Sequence, residues 1–303
     1  MNESVEYFFF NLINSIAKRL SFTASRRVGI WLGDAVFTLT RFRKQVTLEN
    51  LRHAFPEKDE AELRTLARAA YRNYGIALLE SLWAGGQGEE TLRRVVAVVN
   101  REVLTEALAR RKGVLLLSAH YGSWELLASA VRLQLGMPMG MIVQRQRNKR
   151  IDEVFEKNRT RFQNFTIPMG PSSRRVLKAL ADNQVVIVLG DQSGPKEAIF
   201  VDFFGRPAAT HRGVAAFSLK TGAPILMGFL VRQTDGTYSF TLEEIDQSEL
   251  GVSEEEKIVE LTRRHVAVLE RWIRLHPDHW LWMHKRWKHT AYFESKQLVE
   301  EKS

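Results

Sequence analysis

From residue 100 onward, short apolar runs alternate with amphipathic stretches of helical period, and this alternation limits the fold more than any other feature of the chain. The runs are Val114–Leu117, residues 139–143 (MGMIV), Val185–Leu189 and residues 224–231 (PILMGFLV). Each reads as a strand by length and content. Helices are expected near residues 101–111, 123–135, 148–163, 172–182, 211–221 and 253–275. Residues 237–245 (TYSFTLEEI) follow a turn at Asp235-Gly236 and read as an antiparallel edge strand. The pattern predicts an α/β fold, a sandwich of helices around a mixed, mostly parallel central sheet. His120 and Asp191 fall at predicted strand ends, so both are expected to open on one crevice.

His120 and Glu125 flank Tyr121-Gly122-Ser123-Trp124, just past the first apolar run. This is a predicted strand-to-helix turn. A carboxylate near an imidazole fixes its tautomer and stabilises its charged form, which makes the ring a general base. Glu125 is expected to be that carboxylate, because the turn lets the chain double back. As a first-turn glutamate it would also stabilise the helix N-terminus, whose free amides could bind an oxyanion. The chain has no cysteine and no GxSxG motif. That excludes disulfides, thiolate metal sites and cysteine nucleophiles, and disfavours an acyl-serine mechanism. The base therefore suits a hydroxyl brought in by a substrate. No metal-binding motif and no cofactor are expected.

The N-terminal region differs in character. Residues 4–44 alternate apolar clusters (Phe8, Phe9, Phe10, Leu12, Ile13, Ile16; Trp31, Leu32, Val36, Phe37, Leu39) with basic ones (Lys18, Arg19; Arg41, Arg43, Lys44). Helices lying in a membrane interface carry this mix, although an ordinary packed hairpin does too. A formal charge of +9 suits an anionic partner. Seven Trp and seventeen Phe favour a membrane surface over nucleic acid, for which no motif is present. No stretch reaches the roughly 18–20 apolar residues that span a bilayer, and Glu3 and Glu6 argue against a cleaved signal peptide. Residues 60–82 read as a helical scaffold after a turn at Pro56.

Taken together, the motifs resemble those of the bacterial lipid A biosynthesis acyltransferases, within the lysophospholipid acyltransferase superfamily. They are LENLRHAFPE (48–57), HYGSWE (120–125), NRTRF (158–162), GDQSG (190–194), VDFFGRPAATHRG (201–213), KTGAPI (220–225) and WLWMHKRWK (280–288). Singly each is weak; their order and spacing are specific and cover nearly the whole chain. The resemblance implies a glycerol-3-phosphate acyltransferase-like domain over residues 91–303, preceded by a helical, membrane-associating extension over residues 1–90. It also implies transfer of a fatty acyl chain from acyl-acyl carrier protein or acyl-CoA to a hydroxyl of a phosphorylated glycolipid. The place would be the cytoplasmic face of the inner membrane. Other acceptors (a lysophospholipid, an ornithine-type lipid, a mannosylated glycolipid) fit equally well, and a non-catalytic basic membrane-binding protein is the rival from another class.

Within that resemblance His120 is the base and Glu125 its partner. Arg159 best fits the family's arginine; with Arg161 it lies on a basic helix suited to phosphate recognition, the plain alternative being a solvated face. Asp191, at the mouth of a buried strand, needs a partner, either Arg159 or polar groups of the acceptor, unless it caps a loop. Gln192 joins it as a substrate-binding candidate. Gly205 suits a tight turn, Thr210 a helix N-cap, and Phe203 and Phe204 an acyl groove. The aromatic-basic cluster from Trp280 to Lys288 suits a headgroup boundary, plain packing or an edge strand.

Overall fold

The computed structural model describes residues 2–170 and 173–300. Helices α1 (Glu3–Ala17), α2 (Phe22–Leu39), α3 (Lys44–Ala54), α4 (Glu60–Ala84) and α5 (Glu89–Val95) precede the sheet. Then come β1 (Val96–Val98), α6 (Arg101–Ala109), β2 (Val114–Ser118), a 3-10 turn (Trp124–Ala128) and α7 (Ala130–Leu135). Next are β3 (Met139–Val143), α8 (Lys149–Thr160), β4 (Phe165–Pro168), α9 (Ser173–Ala181) and β5 (Val185–Leu189). The chain continues through β6 (Ile199–Asp202), β7 (Pro207–Thr210), α10 (Gly213–Thr221), β8 (Ile225–Arg232) and β9 (Tyr238–Glu244), and closes with α11 (Glu254–Leu275) and α12 (Thr290–Glu300).

Among the described residues, seven strands form one sheet in the order β1-β9-β8-β2-β5-β3-β4. All its neighbours are parallel except β8 and β9. Strand β2 is buried along its whole length because its side chains alternate between two cores. Leu115 and Leu117 pack with α3, α4, α9, α10 and α11. Val114 and Leu116 pack with α5, α6 and α7 on the other face. Truncating Leu116 to Ala would cost about 2–5 kcal/mol. The fold is thus the α/β sandwich that the alternating pattern predicts.

Helix α4 starts with a capping box between Asp59 and Glu62. Helix α2 crosses it with backbones in contact. A Cβ on Gly29 would lie 2.6 Å from the Ile76 Cα, and one on Gly75 would meet the Gly29 carbonyl. Only glycine allows this approach.

Several elements differ from expectation. The helix expected at 123–135 breaks into the 3-10 turn and α7, with Ser129 in a non-helical conformation (φ −123°, ψ −82°) between them. Strand β9 is antiparallel to β8 as expected but is not an edge, since β1 pairs outside it. Strands β6 and β7 form a separate hairpin. Phe204 and Gly205 take φ of +56° and +74° at its tip, the conformation of a tight two-residue turn. Of the segment 280–288, only Trp280 makes a β-bridge, to Tyr121; Trp280, Trp282 and Arg286 are buried. These three pack inward, while Lys285 and Lys288 stay exposed.

Candidate active site

The register of the sheet builds the site. Strands β2 and β5 are paired in parallel from Val114 opposite Val185 to Ser118 opposite Leu189. Each chain then runs two residues further, to His120 and Asp191, at one level of the sheet's carboxyl edge. The Nδ1 of His120 lies 2.9 Å from the Oδ1 of Asp191, and the His120 backbone N–H donates to Oδ2 at 3.1 Å. Trp280 donates its indole N–H to the same Oδ2 at 2.9 Å. The carboxylate is buried, with three donors around it.

The charges of this pair are coupled. Burial would raise the Asp191 carboxyl, but the His120 ring and its hydrogen bonds outweigh burial and hold it below its ordinary value. Burial likewise opposes a charged His120, yet Asp191, with Glu125 further off, lifts the ring above its ordinary value. An ionised Asp191 on Nδ1 sets the neutral tautomer with its proton there. Nε2 is then the basic nitrogen, and the Gln192 amide nitrogen lies 3.5 Å from it.

The carboxylate on Nδ1 is therefore Asp191, where the sequence reading put Glu125. The left-handed Gly122 (φ +56°) explains why. It turns the chain against the Leu230 carbonyl, where a Cβ would clash, and its N–H donates to His279 O at 2.9 Å. The 3-10 turn then carries Glu125 toward α8. There it meets Arg159 in a two-pronged pair, Nε to Oε2 at 3.1 Å and Nη2 to Oε1 at 2.6 Å. Of the partners open to Asp191, Arg159 is not the one it takes: His120 holds Asp191 and Glu125 holds Arg159.

His120, Glu125, Arg159 and Gln192 all line one cavity of about 360 Å³, with Trp124 and His211. Trp124 sets its ring edge against His120 at 5.1 Å. Ile142, Met169, Leu189 and His211 also line a second cavity of about 280 Å³. This second space runs between β2, β4, β5, α9 and α10 past Leu117, Ile167, Val176 and Phe217. The two cavities adjoin across the four shared residues, the first polar at His120 and the second mostly apolar.

Three expected site residues lie elsewhere. Arg161 donates to the Ala84 carbonyl at the end of α4 at 3.1 Å and covers the Phe162 ring. Gly205 sits exposed at the hairpin tip. Thr210 ends β7, buried, accepting from Arg286 Nη2 at 2.6 Å. It is not an N-cap: Arg212 holds that position of α10 with no side-chain bond. Phe203 and Phe204 line neither of these two cavities and pack on Trp280, Trp282 and Trp287.

Two further contributions were not foreseen, His284 having been read only as part of the aromatic-basic cluster. His284, kept neutral by burial that pulls it down to about 4, accepts the Ser193 N–H at 2.8 Å and steadies the Asp191–Ser193 loop. Glu80, wholly buried and pushed up by burial, accepts the Ser123 hydroxyl and, at 2.7 Å, the Tyr238 hydroxyl. It ties the His120 turn to α4. The only signal was an acid amid the apolar ALLESLWA of a predicted helix. Among the described residues no three His, Cys, Asp or Glu are grouped to hold a metal ion.

Comparison with known proteins fits this arrangement to a family. The profile of the bacterial lipid A biosynthesis acyltransferases matches residues 4–289. The lipid A biosynthesis lauroyltransferase of Escherichia coli (strain K12) is 26% identical over 281 residues, covering 89% of this chain and 87% of that protein. The palmitoleoyltransferase of the same organism is 26% identical over 276 residues, covering 90% and 87%. The phosphatidylinositol mannoside acyltransferase of Mycolicibacterium smegmatis is 22% identical over 187 residues, covering 60% and 61%. With its sheet-edge histidine and the match along almost its whole length, the chain belongs to the bacterial lipid A biosynthesis acyltransferase family, and it is an acyltransferase.

Proposed function

We propose that the protein moves a fatty acyl chain from an acyl thioester to a hydroxyl of a phosphorylated lipid A precursor, with His120 as general base. The observation that carries this reading is His120 itself. Its Nδ1 is held by Asp191, while the ring lines a cavity that adjoins a second, mostly apolar one. The acceptor O–H gives its proton to Nε2 as its oxygen bonds to the thioester carbonyl carbon. The tetrahedral adduct then collapses with cleavage of the C–S bond, and the imidazolium returns its proton to the leaving thiolate. The donor chain occupies the apolar passage toward Val176 and Phe217. Arg159 uses Nε and Nη2 on Glu125, and its Nη1 is available to a phosphate or to the developing oxyanion.

The reaction takes place at a membrane surface, on the cytoplasmic face, with residues 1–90 supplying the contact. Supporting this, Phe8, Phe9, Leu12, Ile13 and Ile16 of α1 are exposed, and no described helix is long and apolar enough to cross a bilayer. The net positive charge suits anionic headgroups and either an acidic carrier protein or the phosphates of CoA.

The test is acyl transfer by purified protein from acyl-acyl carrier protein or acyl-CoA, read by mass spectrometry. His120→Ala is expected to lower the rate on the order of 10²–10⁴-fold; wild-type activity in that variant removes the proposed base. The similarity to a phosphatidylinositol mannoside acyltransferase keeps a second acceptor class in play. A panel of lipid A precursor, lysophospholipid and mannosylated lipid separates the two.

A further inference from the structure

A third cavity, of about 380 Å³, lies between α2 and α4, away from the donor passage. Leu32, Val36, Phe42, Tyr74, Leu78 and Met283 line it. Thr40 and Tyr71 in its wall satisfy their hydroxyls on backbone carbonyls: Thr40 donates to the Val36 carbonyl at 2.8 Å, and Tyr71 to the Phe42 carbonyl. The wall presents carbon, and such a space favours a hydrocarbon over water.

Two rings separate this cavity from the base. Tyr74 stacks on Trp124 with centroids 6.4 Å apart, and Trp124 meets His120 at 5.1 Å. On its outer side the cavity adjoins the exposed surface of α2 and the segment after it. Leu39 is 81% exposed, Trp31 69% and Phe42 58%. Phe42 belongs both to the cavity wall and to that surface. Large apolar side chains left exposed beside a cavity suit the docking of another apolar body.

We infer that this cavity is an acyl-chain site for the lipid acceptor, distinct from the donor passage. The inference rests on the proposed transfer to a lipid hydroxyl and assigns a place to the acceptor's hydrocarbon during it. The donor chain reaches His120 through the passage that shares four lining residues with the base cavity. The acceptor stays anchored in the bilayer, so its chain enters from the exposed apolar side of α2. Its hydroxyl then reaches Nε2 past the edge of the Tyr74–Trp124 pair.

The experiment uses full-length wild-type protein on phospholipid vesicles. The probe is a hydroxyacylated, phosphorylated glucosamine disaccharide lipid with a diazirine at one chain end. A control phospholipid carries the same diazirine. Acyl transfer to the probe is measured in the dark, and labelled residues are mapped by mass spectrometry after irradiation. Label on Leu32, Val36, Leu78 or Met283 from the acceptor supports the site. Label confined to Val176 and Phe217, or to the outer residues Phe8 and Trp31, overturns it. Equal labelling of the cavity by the control phospholipid, undiminished by unlabelled acceptor, also overturns it by assigning the space to bulk lipid. Cavity labelling without transfer in the dark would sink the proposed reaction while leaving the chain site standing. Val36→Trp, which fills the space, is expected to raise the acceptor KM about tenfold with the donor KM unchanged. A raised donor KM with an unchanged acceptor KM is the opposite result.

Discussion

His120 and Asp191 stand opposite each other because the two strands that carry them are in register, 114 against 185 and 118 against 189. Each residue lies six positions past the start of its strand. Hydrogen bonds from the ring and from the His120 backbone N–H then lock the pair. The site's central contact is thus a property of sheet pairing, and it does not depend on the turn that follows His120.

Asp191→Asn keeps the shape of this contact and removes its charge. The ionised carboxylate raises the ring above its ordinary value, and the base works only when neutral. In the wild type, activity therefore rises with pH through that raised value. In Asp191→Asn the same rise is expected at lower pH, with a lower plateau, because the ring is a weaker base held in a less defined tautomer. A profile of kcat/KM against pH checks both; an unmoved limb would mean that Asp191 does not set the basicity of His120.

The Glu125–Arg159 pair is largely shielded, with side chains 21% and 16% exposed. Removing one partner leaves the other charge stranded beside His120, whereas removing both does not. Glu125→Gln and Arg159→Gln are each expected to lower activity, and the double variant to be no worse than the poorer single one. A coupling of about 1–3 kcal/mol in the double-mutant cycle is the expected reading. Additive losses would show that the two side chains act independently.

Much of this fold was legible because burial leaves a simple pattern. Strands β3 and β5 match their predicted limits, β2 runs one residue further and β8 is displaced by one, since a strand buried on both faces reads as an unbroken apolar run. Strands β1 and β4 were missed, being three and four residues long. The contact between His120 and Asp191 was visible only as two polar residues at strand ends. Which strands are neighbours is a nonlocal fact, and sequence proximity favoured Glu125 instead. Thr210 misled for a related reason: a threonine before a helical stretch suits a cap, but here the buried Arg286 claims its hydroxyl.

The apolar passage carries its own prediction. Val176 on α9 and Phe217 on α10 line the part beyond the base cavity. Val176→Trp shortens the available space, so donor selection is expected to move toward shorter acyl chains. Phe217→Ala lengthens it and is expected to move selection the other way. Competition among a ladder of acyl donors, read by product mass, checks the pair. Identical product distributions in both variants would put the donor chain somewhere else.

His265 of α11 also lines this passage, buried and with its Nε2 unpaired. Burial pulls the ring down to about 3, helped by the Arg286 charge. An unfolded histidine takes up a proton near pH 6.5. Below that pH the unfolded chain binds a proton that the folded protein refuses, so folding stability falls as pH drops from about 6.5 toward 3. At pH 5 the loss from this residue amounts to about 2 kcal/mol. His265→Leu removes the titrating group and keeps an apolar side chain in the passage. Its stability is expected to fall less than the wild type's between pH 7 and pH 5, as read by denaturant titration at both values. Parallel losses in the two proteins would mean that His265 is protonated in the folded state.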